Sequence, residues 1–138
     1  VQRVFFVVLT LAFSQLAIAE NGSKTVERFI EAFNKHDADA MLAQASSDSR
    51  WMSIAGQKLS TETSTHEELR SAMTGYFESI PSARSEVRSI KESGPFVYTL
   101  EEAFWLSNGT EKSQCSVAVY ELSENKIKNV WYFPAHNC

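Results

Sequence analysis

Between Thr25 and Lys35 the apolar residues are Val26, Phe29, Ile30 and Phe33. Their spacing, i, i+3, i+4, i+7, predicts an amphipathic helix over 25–35. His36-Asp37 ends it. Asp37 can then cap a second, short helix over 38–45 that buries Met41 and Leu42. Ser46 to Ser49 reads as a polar loop. From Arg50 to Ala55 the period changes to two, with Trp51 and Ser53 on one face and Met52 and Ile54 on the other, which predicts a strand ended by a turn at Gly56. Thr61 to Thr65 reads as a polar linker. Ser64-x-x-Glu67 and Thr65-x-x-Glu68 are overlapping capping boxes that start a third helix near His66. Leu69, Met73, Tyr76, Phe77 and Ile80 mark its apolar side, and Pro81 stops it.

Everything beyond reads as strand: 85–93, 96–107, 111–122 and 126–133. The breaks are Gly94-Pro95, Asn108-Gly109 and Ser123-Glu124-Asn125. Asn-Gly is the pair that a type I′ hairpin turn favours, because both central residues take positive φ. Three helices followed by a meander of long strands argue an α+β domain, with the helices on one face of a single curved antiparallel sheet.

The N-terminus breaks this pattern. Arg3 precedes an apolar run from Val4 to Phe13, and Ala17-Ile18-Ala19 follows. This predicts a secretory signal peptide over 1–19, cleaved before Glu20. The run is well short of the roughly 20 residues that a membrane span needs. A loose segment over 20–24 and one domain over 25–138 complete the division, with a secreted or periplasmic location and no membrane association after cleavage.

Composition adds little to this. The chain has 138 residues and a net charge of -4, so one domain fits and nothing points to nucleic acid. Nine Phe, four Tyr and three Trp supply a core or an aromatic-lined pocket. Cys115 and Cys138 are the two cysteines, and in an oxidising compartment they are a disulfide candidate that would pin the C-terminal tail. Two thiols are too few for a structural zinc site. The sequence calls for no metal and no cofactor.

The stretch from Val26 to Leu42 (VERFIEAFNKHDADAML) resembles the opening of SnoaL-like domains of the nuclear transport factor 2-like superfamily. The order of elements over 24–134 is similar too, as is the last hairpin, Val117–Leu122 with Lys126–Pro134. The resemblance implies a cone-shaped (NTF2-like or cystatin-like) fold, in which the helices cover one mouth of a curved sheet and leave an internal pocket. Members include steroid isomerases, polyketide cyclases, epoxide hydrolases, dehydratases and non-enzymatic adaptors, so the site must decide function. Against the steroid isomerases, the helix Tyr falls on Phe29, the strand carboxylate on Ser53 and the late Asp on Ala118. None of these three can do the corresponding chemistry.

The same alignment turns Glu101, Ala103 and Trp105 into the cone, together with Tyr120, Val130 and Tyr132. Glu101 is the candidate acid–base residue, because a carboxyl among aromatics has its pKa raised by desolvation. Glu102 must face the other way. His66 reads as a solvated helix start, and Asp37 and Asp39 as helix-junction residues. The leading expectation is a module that binds a small, largely apolar molecule. Its pocket would be lined by Phe29, Phe33, Trp51, Ser53, Trp105, Tyr120 and Tyr132. The alternatives are an isomerase, cyclase or lyase that uses Glu101 with Tyr120 or Tyr132, and a homodimeric interaction module that buries Val117, Val119, Trp131 and Phe133.

Overall fold

A computed structural model describes residues 21–138, so the signal peptide expected over 1–19 lies outside the described residues. Among the described residues the chain forms three helices and six strands. They are α1 (Gly22–Asn34), α2 (Ala38–Ala43), β1 (Ala45–Ala55), β2 (Lys58–Thr63), α3 (His66–Ser79), β3 (Arg84–Ser93), β4 (Phe96–Ser107), β5 (Thr110–Ser123) and β6 (Lys126–Tyr132). All six strands join one sheet in the order β2-β1-β6-β5-β4-β3. The fold is α+β, and α1 packs against the inner face of the sheet through Val26, Phe29 and Ile30.

Four sequence expectations change. The segment 20–24 is not loose throughout: α1 already begins at Gly22, because the Asn21 side chain accepts from Ser23 N at 2.9 Å and Glu92 takes the same N–H. That cap completes the first turn. Ser46 to Ser49 is strand rather than loop. Its polar side chains hide this, but β6 lies beside it and Ala45 pairs with Ile127. Lys58 to Thr63 is also strand, paired antiparallel with β1 around the Gly56 turn. It is an exposed edge with little apolar alternation, so periodicity could not find it. Finally, β1 runs parallel to β6, so the sheet is mixed rather than wholly antiparallel.

The β3–β6 meander stands as expected. Asn108 and Gly109 both take positive φ (51° and 76°), and their turn sets the register in which Glu101 faces Ser116 and Ala103 faces Gln114. At the other edge Asn34 substitutes for a missing strand. Its side-chain amide donates to Ser85 O at 2.8 Å and its oxygen accepts from Ser85 N at 2.7 Å. This fastens the end of α1 to β3. Asn34→Ala is expected to lower stability by about 1 kcal/mol, as for a lost pair of exposed hydrogen bonds, with faster amide exchange at Ser85. A urea midpoint and exchange rates check both.

Cys115 and Cys138 are joined in a disulfide. Past β6 the tail continues along β5. Phe133 N donates to Val117 O at 2.9 Å, and Cys115 and His136 exchange backbone hydrogen bonds at 2.9 and 2.8 Å. The disulfide closes this last stretch of ladder.

Candidate functional site

A cavity of about 260 Å³ lies between the helices and the sheet. Phe29, Ile30 and Phe33 line it from α1, and Met73 and Tyr76 from α3. The sheet supplies Trp51, Tyr132, Glu101 and Ala103, with Ser85, Gln114 and Ser116. The lining runs from buried Phe29 and Glu101 to exposed Tyr76 and Gln114, so the cavity reaches the surface. Trp51 stacks on Tyr132 (centroids 5.3 Å, 15° between planes) and meets Phe29 at 5.4 Å. Phe33 meets Tyr76 at 5.9 Å. The walls are aromatic and pack against one another.

The inner end is polar. Glu101 is 5% exposed. Its Oε1 accepts from Tyr120 Oη at 2.6 Å and from Thr99 Oγ1 at 3.0 Å. Its Oε2 accepts from Tyr132 Oη at 2.7 Å. The two phenol oxygens are 2.9 Å apart. Tyr120 itself is fully buried. It sits behind Glu101, while Tyr132 shares the cavity wall with it. Burial pushes the Glu101 carboxyl above its ordinary range, against the lowering effect of the three hydroxyls. Burial, and then the Glu101 charge, hold both phenols well above theirs.

The raised Glu101 fixes a sign. A carboxyl whose pKa is higher folded than unfolded contributes stability that is complete below the ordinary value of 4.5 and is lost as pH rises through the folded value. The titratable groups facing it are Tyr120 and Tyr132, and both stay neutral across that window. The stability of the protein relative to its Glu101→Gln variant should therefore fall as pH climbs above the ordinary carboxyl range. Urea midpoints over a pH series measure this, and parallel curves for the two proteins would contradict it.

The other sequence candidates fall as follows. Phe29, Phe33, Trp51, Glu101 and Tyr132 come together at the cavity, with Tyr120 in contact through Glu101. Two do not join them. Ser53 sits beside Tyr132 in the sheet but donates to Glu62 Oε1 at 2.6 Å. Trp105 lies toward the Asn108-Gly109 turn, beyond Ala103, and is outside the lining. Ala118 is fully buried. His66 is not simply solvated: its Nε2 bonds Ala45 O at 3.0 Å and ties α3 to β1. Asp37 caps α2 by accepting from Ala40 N at 2.9 Å, and Asp39 pairs with Arg70. Glu102 faces away from Glu101 and pairs with Arg88. The Ser113 hydroxyl, and then Arg88, lower its pKa.

Ser116 and Gln114 were missed by sequence reasoning, although the Asn108-Gly109 turn carried the signal. Counting pairs back from a two-residue hairpin places them opposite Glu101 and Ala103. Thr99 was missed as well, although it lies two residues before Glu101 and so shares its face. Among the described residues, Glu102, Cys115 and Cys138 also gather metal-type donor atoms within 4.8 Å. Both of those sulfurs are used in the disulfide.

The model of the SnoaL-like domain matches residues 26–130. The chain belongs to the SnoaL-like domain family. Solved structures agree on the fold. An NTF2-like protein from Burkholderia pseudomallei is 22% identical, with a TM-score of 0.68 over 85% of this chain and 90% of its own. A protein from Jannaschia sp. CCS1 assigned as a SnoaL-like polyketide cyclase is 14% identical, with a TM-score of 0.66 over 81% and 83%. TerC, co-crystallised with polyporic acid, is 16% identical, with a TM-score of 0.70 over 80% and 88%. No match is found among curated protein sequences. At these identities the SnoaL-like neighbours share a fold with this chain, and its own side chains must carry any statement about chemistry.

Proposed function

We propose that this SnoaL-like domain is an exported protein that holds a small, largely apolar, ring-shaped molecule in its cone. One observation carries the reading: an aromatic cavity of about 260 Å³ whose inner end holds a single carboxyl, Glu101, in a cradle of hydroxyls. Apolar walls with a few convergent polar groups are the usual make-up of a small-molecule site. The volume falls just under the roughly 300 Å³ at which such sites usually begin, which suits a ligand of one or two rings. TerC, a neighbour in fold, was co-crystallised with a small organic molecule, polyporic acid. Export is supported by the N-terminal apolar run with its Ala17-Ile18-Ala19 site and by the disulfide. Among the described residues no helix is long and apolar enough to cross a membrane.

The test is a titration with naphthalene followed by quenching of tryptophan fluorescence. The protein should bind saturably, and Ala103→Phe, which fills the cavity from β4, should lose binding while keeping its far-ultraviolet circular dichroism. Equal quenching in both proteins would place the probe elsewhere and sink the reading.

A second reading is favoured by the bonds from both phenols to Glu101: an isomerase, cyclase or lyase in which Glu101 moves a proton and Tyr132 donates to the substrate. Turnover abolished in Glu101→Gln with binding retained would support it. The outer sheet face also carries Tyr98, Val117 and Phe133 at 42%, 38% and 41% exposure, beside Val119 and Trp131. We propose that two copies pair through this face. Sedimentation velocity should show a dimer that Trp131→Glu dissociates, and a monomer at all concentrations would contradict it.

A further inference from the structure

Three oxygen–oxygen contacts form a closed ring at the inner end of the cavity. Glu101 Oε1 lies 2.6 Å from Tyr120 Oη, Tyr120 Oη lies 2.9 Å from Tyr132 Oη, and Tyr132 Oη lies 2.7 Å from Glu101 Oε2. All three are hydrogen-bond distances for oxygen pairs, so each contact needs one proton. A phenol brings one proton, and an ionised carboxylate brings none. Two phenols therefore supply two protons for three contacts. With Glu101 ionised, one pair of oxygens would meet lone pair to lone pair, buried and without a partner. The third proton must come from the carboxyl. The Thr99 hydroxyl spends its own proton on Oε1 and stands outside the ring. Among the side-chain hydrogen bonds to Glu101, none comes from Arg or Lys, and burial raises the carboxyl's pKa. Both facts agree with the count.

We propose that Glu101 is protonated in the folded protein and closes a hydrogen-bonded ring with Tyr120 and Tyr132, so that the ring itself offers a ligand only acceptors and selects a ring-shaped alcohol. This names the ligand class for the cavity and rests on the binding reading above. Every proton of the ring, and that of Thr99, is spent internally, whichever way round the ring the bonds point. The lone pairs left over within reach of a ligand belong to the Glu101 carboxyl and Tyr132 Oη, the two ring members that line the cavity. Tyr120 is fully buried behind them. Ser116 is paired with Glu101 across the ladder and also lines the cavity. Its hydroxyl can donate or accept, so it does not set the preference. A ligand hydroxyl can donate to the free lone pairs, whereas a carbonyl, ether or carboxylate at the same place would face them unpaired.

Glu101→Gln makes the inference testable, because an amide keeps the ring and changes the wall. Its oxygen accepts from Tyr120 and Thr99, and one N–H donates to Tyr132, which closes the ring in one of the two directions open to the acid. The second N–H takes the direction of the free lone pair and offers the ligand a donor. Two measurements follow. In an infrared difference spectrum at neutral pH, wild type minus Glu101→Gln, the wild type should show the carbonyl band of a protonated acid. In titrations, 2-naphthol should bind the wild type on the order of tenfold tighter than 2-methoxynaphthalene, the loss of one hydrogen bond to a buried group. Glu101→Gln should bring the two probes level or reverse them. A carboxylate band without an acid band overturns the proton count and leaves the cavity reading standing. An acid band with equal affinities, or with the ether preferred by the wild type, overturns the ligand class. An acid band with neither probe bound overturns the ligand class and the binding reading together.

Discussion

Phe29→Ala is expected to destabilise the domain by about 3–5 kcal/mol, the cost of emptying a large aromatic site in a packed interior. Phe29 is 2% exposed. It is also the joint between the core and the cavity, meeting Trp51 at 5.4 Å and Tyr120 edge-on at 6.4 Å. Trp51 in turn stacks on Tyr132, so the loss would loosen the wall that holds the Tyr132 hydroxyl against Glu101. The variant should therefore lose both stability and selectivity between probes, and the site collapses only in part because the sheet on the other side is continuous. Urea unfolding read by far-ultraviolet circular dichroism gives the stability. A cost under about 1 kcal/mol, the size expected of a surface change, would mean that Phe29 is not the keystone that its packing indicates.

Opening the disulfide should have the next largest effect. Cys115 and Cys138 are 23 residues apart, and closing a loop of that length restricts the unfolded chain enough to be worth about 3 kcal/mol. The native side of the balance is already ordered without the bond, because the Cys115–His136 and Phe133–Val117 backbone hydrogen bonds align the tail with β5. Cys115→Ser with Cys138→Ser, or reduction of the native protein, should thus shift the urea midpoint down while leaving the fold and the cavity unchanged. A midpoint insensitive to reductant would contradict this.

The fold was largely legible because its strongest signals are local. Val26, Phe29, Ile30 and Phe33 make a helical stripe wherever they occur, and Asn108-Gly109 turns the chain whatever lies on either side. What was hidden depends on distant partners. Ser46 to Ser49 have no alternation of their own and form the irregular stretch of β1 between the Ala45–Ile127 and Arg50–Asn129 pairs with β6. Lys58 to Thr63 is an edge whose polar residues suit both a strand and a linker.

The site divides in the same way. Glu101, Tyr120 and Tyr132 were turned inward by the alignment with the steroid isomerases, which carries over where the ladder is unbroken. Ser53 lies just past the irregularity between Trp51 and Met52, and its hydroxyl is taken up by Glu62 on the unseen neighbouring strand. Phase alone therefore carried it into a pocket that it does not line. Trp105 has the correct phase, but the cavity ends before it, and depth along a cone is not written in a period of two. The closeness of Tyr120 to Tyr132, on which the proton count depends, is set by the β5–β6 register. There Ala118 pairs with Tyr132 and Tyr120 with Val130.

The most direct measurement is native mass spectrometry of the protein purified from its own host, gently enough to keep non-covalent ligands. The account predicts one small organic molecule per chain, lost from Ala103→Phe and, once released and identified, carrying a hydroxyl on an otherwise apolar ring. A chain that travels bare in the wild type, or one whose adduct survives unchanged in Ala103→Phe, would contradict the claim that the cone is built to hold a ligand.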